Sequence, residues 1–480
     1  MFGTLTRQVG TVAAARLATA AAGIGTNMLL AHLLSQSDAG RMQKGLFVAQ
    51  LIVTGGAFGI QTSLYYFLPR VTPGQRRALA GQGVALLLGI ACAAAAVVYP
   101  SAGWLAVRMN DTDLRPILQA AALSVLALLP AMAADPILIA QGRAGLAAVS
   151  AGAATAVQLI VVATVIGAGW PHEAVFFALV LAAIVRLATA LIYAAFATRG
   201  HPWILTSRDL LREQAAYILP VGVVSLLDVL STYLDRSLIS IWYGNEDFAV
   251  YVYGAMEIPF ISILMGSLMP VLLPRFSEMS LRDKTSAVLD LWHRATCKTA
   301  MVLFAVFFLF LWIAPSFLAL LYSERYRSSA LYFRIYLFLI PIRTVSFMPL
   351  LFALGRRNYV VTGSALDILL NFILSVALIR LTPLGMAGAA VGTVVATIAQ
   401  AWFYLAGIRR ALGVAWGQVL PWAALAREAM VVGGLSLVLW PLVVAGLPPS
   451  IEVLVAATLA MIYGFTRIIP RLRVHKEHAA

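Results

Sequence analysis

The sequence has little charge and almost no cysteine. Asp, Glu, Lys and Arg make up only 11% of its 480 residues, while 61% are hydrophobic. A soluble chain of this size carries about 25% charged residues, so the composition excludes an ordinary soluble enzyme and indicates a protein embedded almost entirely in lipid. The two cysteines, Cys92 and Cys297, both lie in or near apolar runs and give no disulfide or metal-site pattern.

Catalytic signatures are missing as well. There is no Gly-Lys dipeptide, so the chain has no phosphate-binding P-loop and no ATPase of its own. The six histidines are scattered without the spacing of a zinc site, and no Gly-x-Ser-x-Gly nucleophile motif occurs. The connections between apolar runs are too short to hold a polymerase or glycosyltransferase domain. We therefore expect a protein that is not an enzyme and binds no cofactor or metal.

Long apolar runs dominate what is present. A helix needs about 20 predominantly apolar residues to cross a bilayer, and these runs are longer than the roughly ten-residue strands of an outer-membrane barrel. The first run contains Arg16 and has no small-residue cleavage site, so we expect it to be retained as a helix. Fourteen spans are predicted, at about 9–34, 45–68, 78–100, 116–140, 144–168, 174–197, 213–242, 248–274, 295–322, 329–354, 359–380, 385–408, 429–446 and 451–469.

Lys and Arg concentrate on one side of the predicted bilayer. Counted together with the span ends that adjoin them, the N-terminus, the even-numbered connections and the C-terminus hold 22 of them, whereas the odd-numbered connections hold 7. The positive-inside rule therefore predicts cytoplasmic N- and C-termini and an even number of spans. The same rule accounts for the net charge of +14, so nucleic acid is not an expected partner.

The chain also repeats itself. The motif Ala140-Gln141-Gly142-Arg143 corresponds to Ala353-Leu354-Gly355-Arg356 at an offset of 213, which also carries Pro136 onto Pro349 and Gln158 onto Asn371. Leu68-Pro69-Arg70 corresponds to Leu273-Pro274-Arg275 at an offset of 205. These matches predict a six-helix unit used twice. Because six is even, the two copies are expected to be parallel repeats about an axis normal to the membrane.

The predicted fold is therefore all-α and integral to the membrane, with two parallel six-helix lobes around a central cavity plus two C-terminal helices. Such lobes bind substrate near the middle of the bilayer and expose it alternately to either side. The predicted organisation comprises an N-lobe (1–197), a cytoplasmic linker (198–212), a C-lobe (213–410), and a last segment with helices 13 and 14 and a basic tail (411–480).

Acidic residues lie inside predicted spans, where a charge costs about 3 kcal/mol on insertion scales and usually faces an internal cavity. Asp228 and Asp235 share one helical face with Ser225 and Thr232, because their spacings are three, four and three residues. We interpret both aspartates as candidates for gating or ion coupling. The alternative is a structural carboxylate satisfied by a partner such as Arg16.

Two further acids and two prolines belong to the same set of candidates. Asp135 and Glu257 are additional intramembrane acids that we assign to gating or ion coupling. Pro136 and the repeat-equivalent Pro349 are candidates for a paired hinge, because a proline inside a helix frees a carbonyl and bends the axis. A purely structural kink is the alternative.

Arginines inside spans point to the chemistry of the cargo. A cavity for organic cations favours acids and aromatics, whereas a phosphorylated lipid requires guanidinium groups, which bind phosphate through two parallel hydrogen bonds. Arg16, Arg186 and Arg343 are the candidates for headgroup contact. The alternatives are that Arg16 extends to the membrane surface and that the others form structural ion pairs.

Three stretches resemble a known family. They are Asn27-Met-Leu-Leu-Ala-His-Leu-Leu-Ser-Gln-Ser-Asp-Ala-Gly40, Gly59-Ile-Gln-Thr-Ser-Leu-Tyr-Tyr-Phe-Leu-Pro-Arg70 and Ala353-Leu-Gly-Arg356. Together with the span count, the parallel repeat and the two added helices, they resemble polysaccharide transporters of the multidrug/oligosaccharidyl-lipid/polysaccharide exporter superfamily. The resemblance is closest to O-antigen and lipid-linked oligosaccharide flippases, and it extends over essentially the whole chain.

This resemblance implies a function. Flippases of this kind move undecaprenyl-pyrophosphate-linked oligosaccharide repeat units across the inner (plasma) membrane for polysaccharide biosynthesis. It implies as partners the lipid-linked glycan, membrane lipids, and possible contacts with a polysaccharide polymerase and glycosyltransferases. Three alternatives stay open: a lipid II flippase of peptidoglycan synthesis, a cation-coupled multidrug exporter, and a non-transporting scaffold for a polysaccharide synthase.

Overall fold

The computed structural model describes residues 20–197, 208–281 and 285–468, and the regular structure within these ranges is entirely helical. Short 3₁₀ turns precede three of the helices. The α-helices, numbered in chain order, are α1 (Ala20–Leu33), α2 (Gln36–Gly56), α3 (Ile60–Phe67), α4 (Pro73–Arg108), α5 (Arg115–Ala131), α6 (Ala134–Ala140), α7 (Ala144–Gly167), α8 (Val175–Ala197), α9 (Arg208–Trp242), α10 (Asn245–Gly254), α11 (Pro259–Leu281), α12 (Thr285–Tyr322), α13 (Ala330–Leu337), α14 (Leu339–Arg343), α15 (Phe347–Ala353), α16 (Arg357–Leu381), α17 (Met386–Leu412), α18 (Trp416–Val419), α19 (Trp422–Ser436), α20 (Leu439–Val444) and α21 (Pro449–Tyr463).

These helices confirm a multi-pass membrane protein. Among the described residues, ten helical segments are long and apolar enough to cross a bilayer, and two bent pairs, α2–α3 and α10–α11, raise the number to twelve. The apolar helices α1 and α21 are shorter. Each of the fourteen predicted spans therefore corresponds to one of these elements.

The packing of the helices confirms the internal repeat. The fourth span (α5–α6) packs against the second (α2–α3), the third (α4) and the sixth (α8). In the same way, the tenth span (α13–α15) packs against the eighth (α10–α11), the ninth (α12) and the twelfth (α17). The fifth and sixth spans pack together, and so do the eleventh and twelfth. The same set of neighbours thus recurs six spans later, as the sequence offsets predict.

Equivalent spans are broken in both units, at repeat-equivalent residues in the fourth and tenth spans but nearer the start in the eighth span than in the second, since α10 has 10 residues and α2 has 21. The second span bends by 44° between α2 and α3, and the eighth bends by 48° between α10 and α11. The fourth and tenth spans restart at Ala134 and Phe347, and Pro136 and Pro349 are each the third residue of the new helix. Proline is tolerated there because the first turn of a helix has no internal partner for its N–H groups. Their role as hinges stays a prediction.

Helices α6 and α15 end in the same kind of turn. Gly142 and Gly355 have φ of 72° and 69°. The N–H of Arg143 donates to the carbonyl of Leu138 at 3.0 Å, and the N–H of Arg356 donates to the carbonyl of Leu351 at 2.8 Å. This is the Schellman arrangement, which places a residue in the left-handed region after the helix and therefore favours glycine.

Replacing either turn glycine should weaken the fold by a similar amount. We expect Gly142→Ala and Gly355→Ala each to lower the free energy of unfolding by about 1–2 kcal/mol, because an L side chain strains the left-handed conformation. Gly145→Ala is the matched control, since this glycine lies in α7 with open space around its Cβ position. Thermal unfolding of the purified protein in detergent measures the effect. A loss at only one of the two turns would contradict their equivalence.

Contacts between residues divide the chain into two compact units, the first ending at Ala249 and the second beginning at Val250. Helix α9 belongs to the first unit, where it packs against α2 and α3. Tyr217 of α9 stacks on Tyr66 with 4.7 Å between the ring centroids, and Gln214 donates to Ser63 Oγ at 3.2 Å. The lobe limits at 197 and 213 follow the sequence repeat and stay a prediction about which parts move together.

The two C-terminal spans pack against α12 through buried acids. Ser316 of α12 donates to the carboxylate of Glu452 on α21. Tyr463 on α21 donates to Glu428 on α19, and both carboxylates are buried. Hydroxyl donors at these positions explain how two carboxylates are accommodated beside apolar helices, since a buried charge is stabilised only when it is hydrogen-bonded.

Candidate functional site

An acid–arginine pair lies inside two spans of the first unit. Arg186 Nη2 donates to both carboxylate oxygens of Asp135, at 2.8 Å each. Asp135 is the second residue of α6, directly after the break in the fourth span, and Arg186 lies near the middle of α8. The side chains are 24% and 33% exposed for Arg186 and Asp135, respectively. The pair is therefore half-buried and still reachable from outside.

The guanidinium of Arg186 is not fully used by this pair. Both bonds come from a single nitrogen, and Nε is buried without a hydrogen-bond partner among the described residues. Arginine has five N–H donors in a planar fork. The Nε–Nη2 edge has the geometry that holds an oxyanion through two parallel hydrogen bonds, but here Asp135 occupies Nη2 and the protein covers Nε.

A second pair lies in the second unit. Arg343, the last residue of α14, donates to the carboxylate of Glu257, which lies in the unwound segment between α10 and α11. Ser262 Oγ donates to the other oxygen of Glu257 at 2.7 Å. Both charged residues line a small open cleft of about 30 Å³ whose walls are otherwise mainly apolar. This volume holds about one water molecule, so the cleft as it stands is far smaller than a typical ligand pocket.

The two pairs join residues that the sequence assigned to different roles. The predicted headgroup residues Arg186 and Arg343 each contact a residue predicted for gating or ion coupling, Asp135 and Glu257 respectively. Arg16, the third predicted headgroup residue, lies outside the described residues. The structure thus brings acid and base together within each unit, and their individual roles stay predictions.

The two aspartates of α9 differ in environment. Asp228 is exposed, whereas Asp235 is buried with 3% of its surface accessible. Near Asp235 the last turns of α9 are buried on several faces, including Leu238 and Ile239. Shared helical spacing therefore did not give the two carboxylates the same surroundings. Their assignment to gating or ion coupling is not tested by this difference.

A charged cluster in the first unit was not predicted. Arg41 Nε donates to Asp111 Oδ2 at 2.6 Å, and Arg41 also contacts Asp38 and Asp113. Asn245 Nδ2 donates to Asp111 Oδ2 at 2.6 Å. These residues belong to three odd-numbered connections, which the charge alternation places on one side of the membrane. The sequence therefore did carry a signal for the cluster, because one connection on this side holds an arginine and another holds two acids.

The cluster keeps Asp111 charged. Burial by itself would raise the pKa of the Asp111 carboxyl, but the hydrogen bonds from Arg41 and Asn245 outweigh burial and hold that pKa below its ordinary value. A carboxyl with a lowered pKa stabilises the folded state at neutral pH. This contribution is lost as the pH falls through the lowered pKa.

Polar groups at the equivalent positions Gln158 and Asn371, Gln158 partly buried and Asn371 buried, also connect spans within each unit. In the second unit, Ser375 and Thr393 donate to Asn371 Oδ1 at 2.9 and 3.2 Å. In the first unit, Gln158 donates to Thr26 Oγ1 at 2.9 Å. Gln158 and Asn371 are related by the sequence repeat, so the offset of 213 was the feature of the sequence that could have predicted these two polar positions.

Comparison with known proteins gives a family and a fold. The family described as "Polysaccharide biosynthesis protein" matches residues 5–280. No curated protein matches the chain in sequence.

Solved structures of membrane transporters are similar to this chain along most of its length. The lipid II flippase MurJ in an inward closed conformation has a TM-score of 0.69 at 12% identity, covering 94% of this chain and 97% of that one. An inward-facing multidrug resistance MATE transporter of the MOP superfamily has a TM-score of 0.66 at 14% identity, covering 84% and 98%. A MOP superfamily transporter from Pyrococcus furiosus has a TM-score of 0.62 at 16% identity, covering 86% and 96%. At these identities the likeness shows a shared fold.

Proposed function

Because the chain belongs to the polysaccharide biosynthesis protein family, we propose that it is a flippase for lipid-linked oligosaccharides. It moves undecaprenyl-pyrophosphate-linked repeat units across the inner membrane, from the cytoplasmic to the outer leaflet. In this proposal it is a transporter and not an enzyme, and both termini are cytoplasmic. A polysaccharide polymerase and glycosyltransferases are its proposed protein partners.

The observation that carries this proposal is the half-buried guanidinium of Arg186 within a span, with donor capacity to spare. A charged group at membrane depth is retained where it binds something. Arginine binds phosphate oxygens with two parallel hydrogen bonds. The pyrophosphate of a lipid-linked glycan therefore suits this position better than an organic cation does.

The proposed mechanism is alternating access. Arg16, Arg186 and Arg343 are the proposed headgroup contacts, each considered within its own unit, while the polyprenyl tail stays in lipid. Bending at the broken spans that contain Pro136 and Pro349 changes the side to which the cargo is exposed. The membrane acids coordinate this change with an ion or with the membrane potential, and they comprise Asp135, Asp228, Asp235 and Glu257.

Reconstituted transport tests the proposal. We expect the purified protein in liposomes to translocate a fluorescent lipid-linked oligosaccharide, and Arg186→Gln to slow the rate at least about tenfold through loss of about 1.4 kcal/mol of headgroup binding. Arg294→Gln is the control, because Arg294 forms an exposed ion pair with Asp290. Absence of translocation by well-folded wild-type protein would reject the flippase and leave the scaffold interpretation.

A second candidate substrate is lipid II. The fold of the lipid II flippase MurJ covers 94% of this chain. Depletion in cells separates the two substrates: lysis with arrested peptidoglycan synthesis would favour lipid II, and loss of surface polysaccharide with normal growth would favour the proposed substrate. Efflux of cationic dyes would instead favour a multidrug exporter.

A further inference from the structure

The Arg186–Asp135 pair has an incomplete geometry for a permanent ion pair. A structural arginine–carboxylate pair commonly forms two parallel bonds from two nitrogens. Here one nitrogen, Nη2, serves both oxygens of Asp135, and Nε is buried without a partner among the described residues. An unpaired buried donor is unfavourable. The pair therefore leaves room for a replacement oxyanion that bonds to both Nε and Nη2.

We propose that Asp135 is an internal competitor that occupies Arg186 until a phosphate oxyanion displaces it. The ligand is of the phosphate class, because two of its oxygens match the Nε–Nη2 edge of the guanidinium. Asp135 cannot remain in place when this happens, since a carboxylate beside a phosphate is repelled by it. This inference rests on the proposed function, which supplies the pyrophosphate as the natural ligand.

The position of Asp135 favours release of its carboxylate. It lies on the second residue of α6, immediately after the break in the fourth span, and a third of its side chain is exposed. A small rotation of this short helix thus moves the carboxylate towards the accessible side, while Arg186 stays in the middle of the long helix α8. The competitor is on the short helix that follows a two-residue interruption of the fourth span, and the binding group is on the long helix α8.

The second pair is less suited to this exchange. Glu257 is 54% exposed and is also held by Ser262. No nitrogen of Arg343 is among the buried, unpartnered polar atoms of the described residues. Water already screens such an exposed pair, so removing the acid changes little at the arginine.

Competition of this kind lowers the apparent affinity of the resting protein. When only a fraction of the protein has Arg186 free, the apparent dissociation constant is the intrinsic one divided by that fraction. Neutralising Asp135 removes this penalty, so binding becomes tighter. Transport becomes slower, because the carboxylate no longer helps the anion to leave. The two effects have opposite signs, which a merely structural pair does not produce.

Calorimetric titration with inorganic pyrophosphate tests the exchange on the full-length protein in a zwitterionic detergent. We expect Asp135→Asn to lower the dissociation constant at least about tenfold, equivalent to about 1.4 kcal/mol. The double variant Asp135→Asn/Arg186→Gln is expected to lose this gain. Asp290→Asn, which removes the acid of an exposed pair with Arg294, is the matched control and should change nothing. Unchanged or weaker binding by Asp135→Asn, or tight binding by the double variant, overturns the exchange.

Arg186→Lys keeps the inference testable if Asp135→Asn does not fold. The lysine retains the positive charge and the ion pair but has no Nε–Nη2 edge. We expect it to bind pyrophosphate at least about tenfold more weakly than wild type, a loss of about 1.4 kcal/mol. Wild-type affinity in this variant overturns the exchange.

Two further experiments identify the source of the oxyanion and test the exchange independently of the proposed function. In nanodiscs, undecaprenyl pyrophosphate and phosphatidylglycerol are compared as competitors of inorganic pyrophosphate. Competition by either supports the exchange and identifies its lipid source. Tighter pyrophosphate binding by Asp135→Asn, without translocation of lipid-linked glycan by wild type, would uphold the exchange and reject the flippase. Translocation of lipid-linked glycan by the wild type, together with unchanged pyrophosphate binding by Asp135→Asn, would uphold the flippase and reject the exchange.

Discussion

Gly40→Leu is expected to prevent the protein from adopting the observed packing. A Cβ at this position would lie 1.9 Å from the backbone carbonyl oxygen of Asn245, whereas real Cβ atoms essentially never come closer than 3.0 Å to such an atom. No side-chain rotation relieves a clash with backbone, so α2 and the start of α10 have to separate. That separation also breaks the hydrogen bond from Asn245 to Asp111.

The expected loss for Gly40→Leu is about 3 kcal/mol or more, at the upper end of the effects of overpacking. Size-exclusion chromatography and thermal unfolding in detergent measure the folded fraction. Gly89→Leu is the matched control, because Gly89 lies in the long helix α4 with nothing within 4 Å of its Cβ position. If the two variants unfold alike, the close approach at Gly40 does not limit the fold.

Lys44→Ala should produce the second large loss of stability. Lys44 is fully buried, and its Nζ donates to the carbonyls of Met109 at 2.7 Å and Tyr243 at 3.3 Å. The ammonium also lies 5.8 Å from the centre of the Phe248 ring. This one side chain thus connects the ends of α4 and α9 to α2. Its truncation leaves a cavity and removes the donor from both carbonyls, which together cost about 3–5 kcal/mol.

Lys44→Met separates the two contributions. Methionine fills most of the volume but donates no hydrogen bond, so we expect it to recover roughly half of the loss. Lys298→Ala is the control for removing a lysine, since Lys298 is exposed on α12. Thermal unfolding midpoints of the variants in the same detergent give the comparison. Equal midpoints for Lys44→Ala and Lys298→Ala would show that the buried contacts do not contribute.

The architecture of this protein could be predicted because two simple physical signals repeat along the chain. Each span needs a long apolar run, and each copy of the six-helix unit needs the same turns. The Gly142 and Gly355 turns illustrate this, because a left-handed backbone position keeps its glycine in both copies. The breaks before Pro136 and Pro349 follow the same offset of 213.

The partners of the charged residues could not be predicted in this way. Asp135 and Arg186 are 51 residues apart on different spans, and no periodicity connects them. The repeat does not help either, because the residue 213 positions after Asp135 is Met348. Asp235 shows a different limit: helical spacing gives the direction of a side chain but not what covers it, and the last turns of α9 are buried on several faces.

The acids of the last two spans affect the order in which the chain enters the membrane. Glu428 reaches the bilayer 35 residues before its donor Tyr463 is made, whereas Glu452 finds Ser316 already in place 136 residues earlier. Each of these hydrogen bonds offsets part of the roughly 3 kcal/mol that a charge costs at membrane depth on insertion scales. During synthesis, α19 and α21 are therefore expected to leave the translocon together as a hairpin, docking onto an α12 that is already inserted.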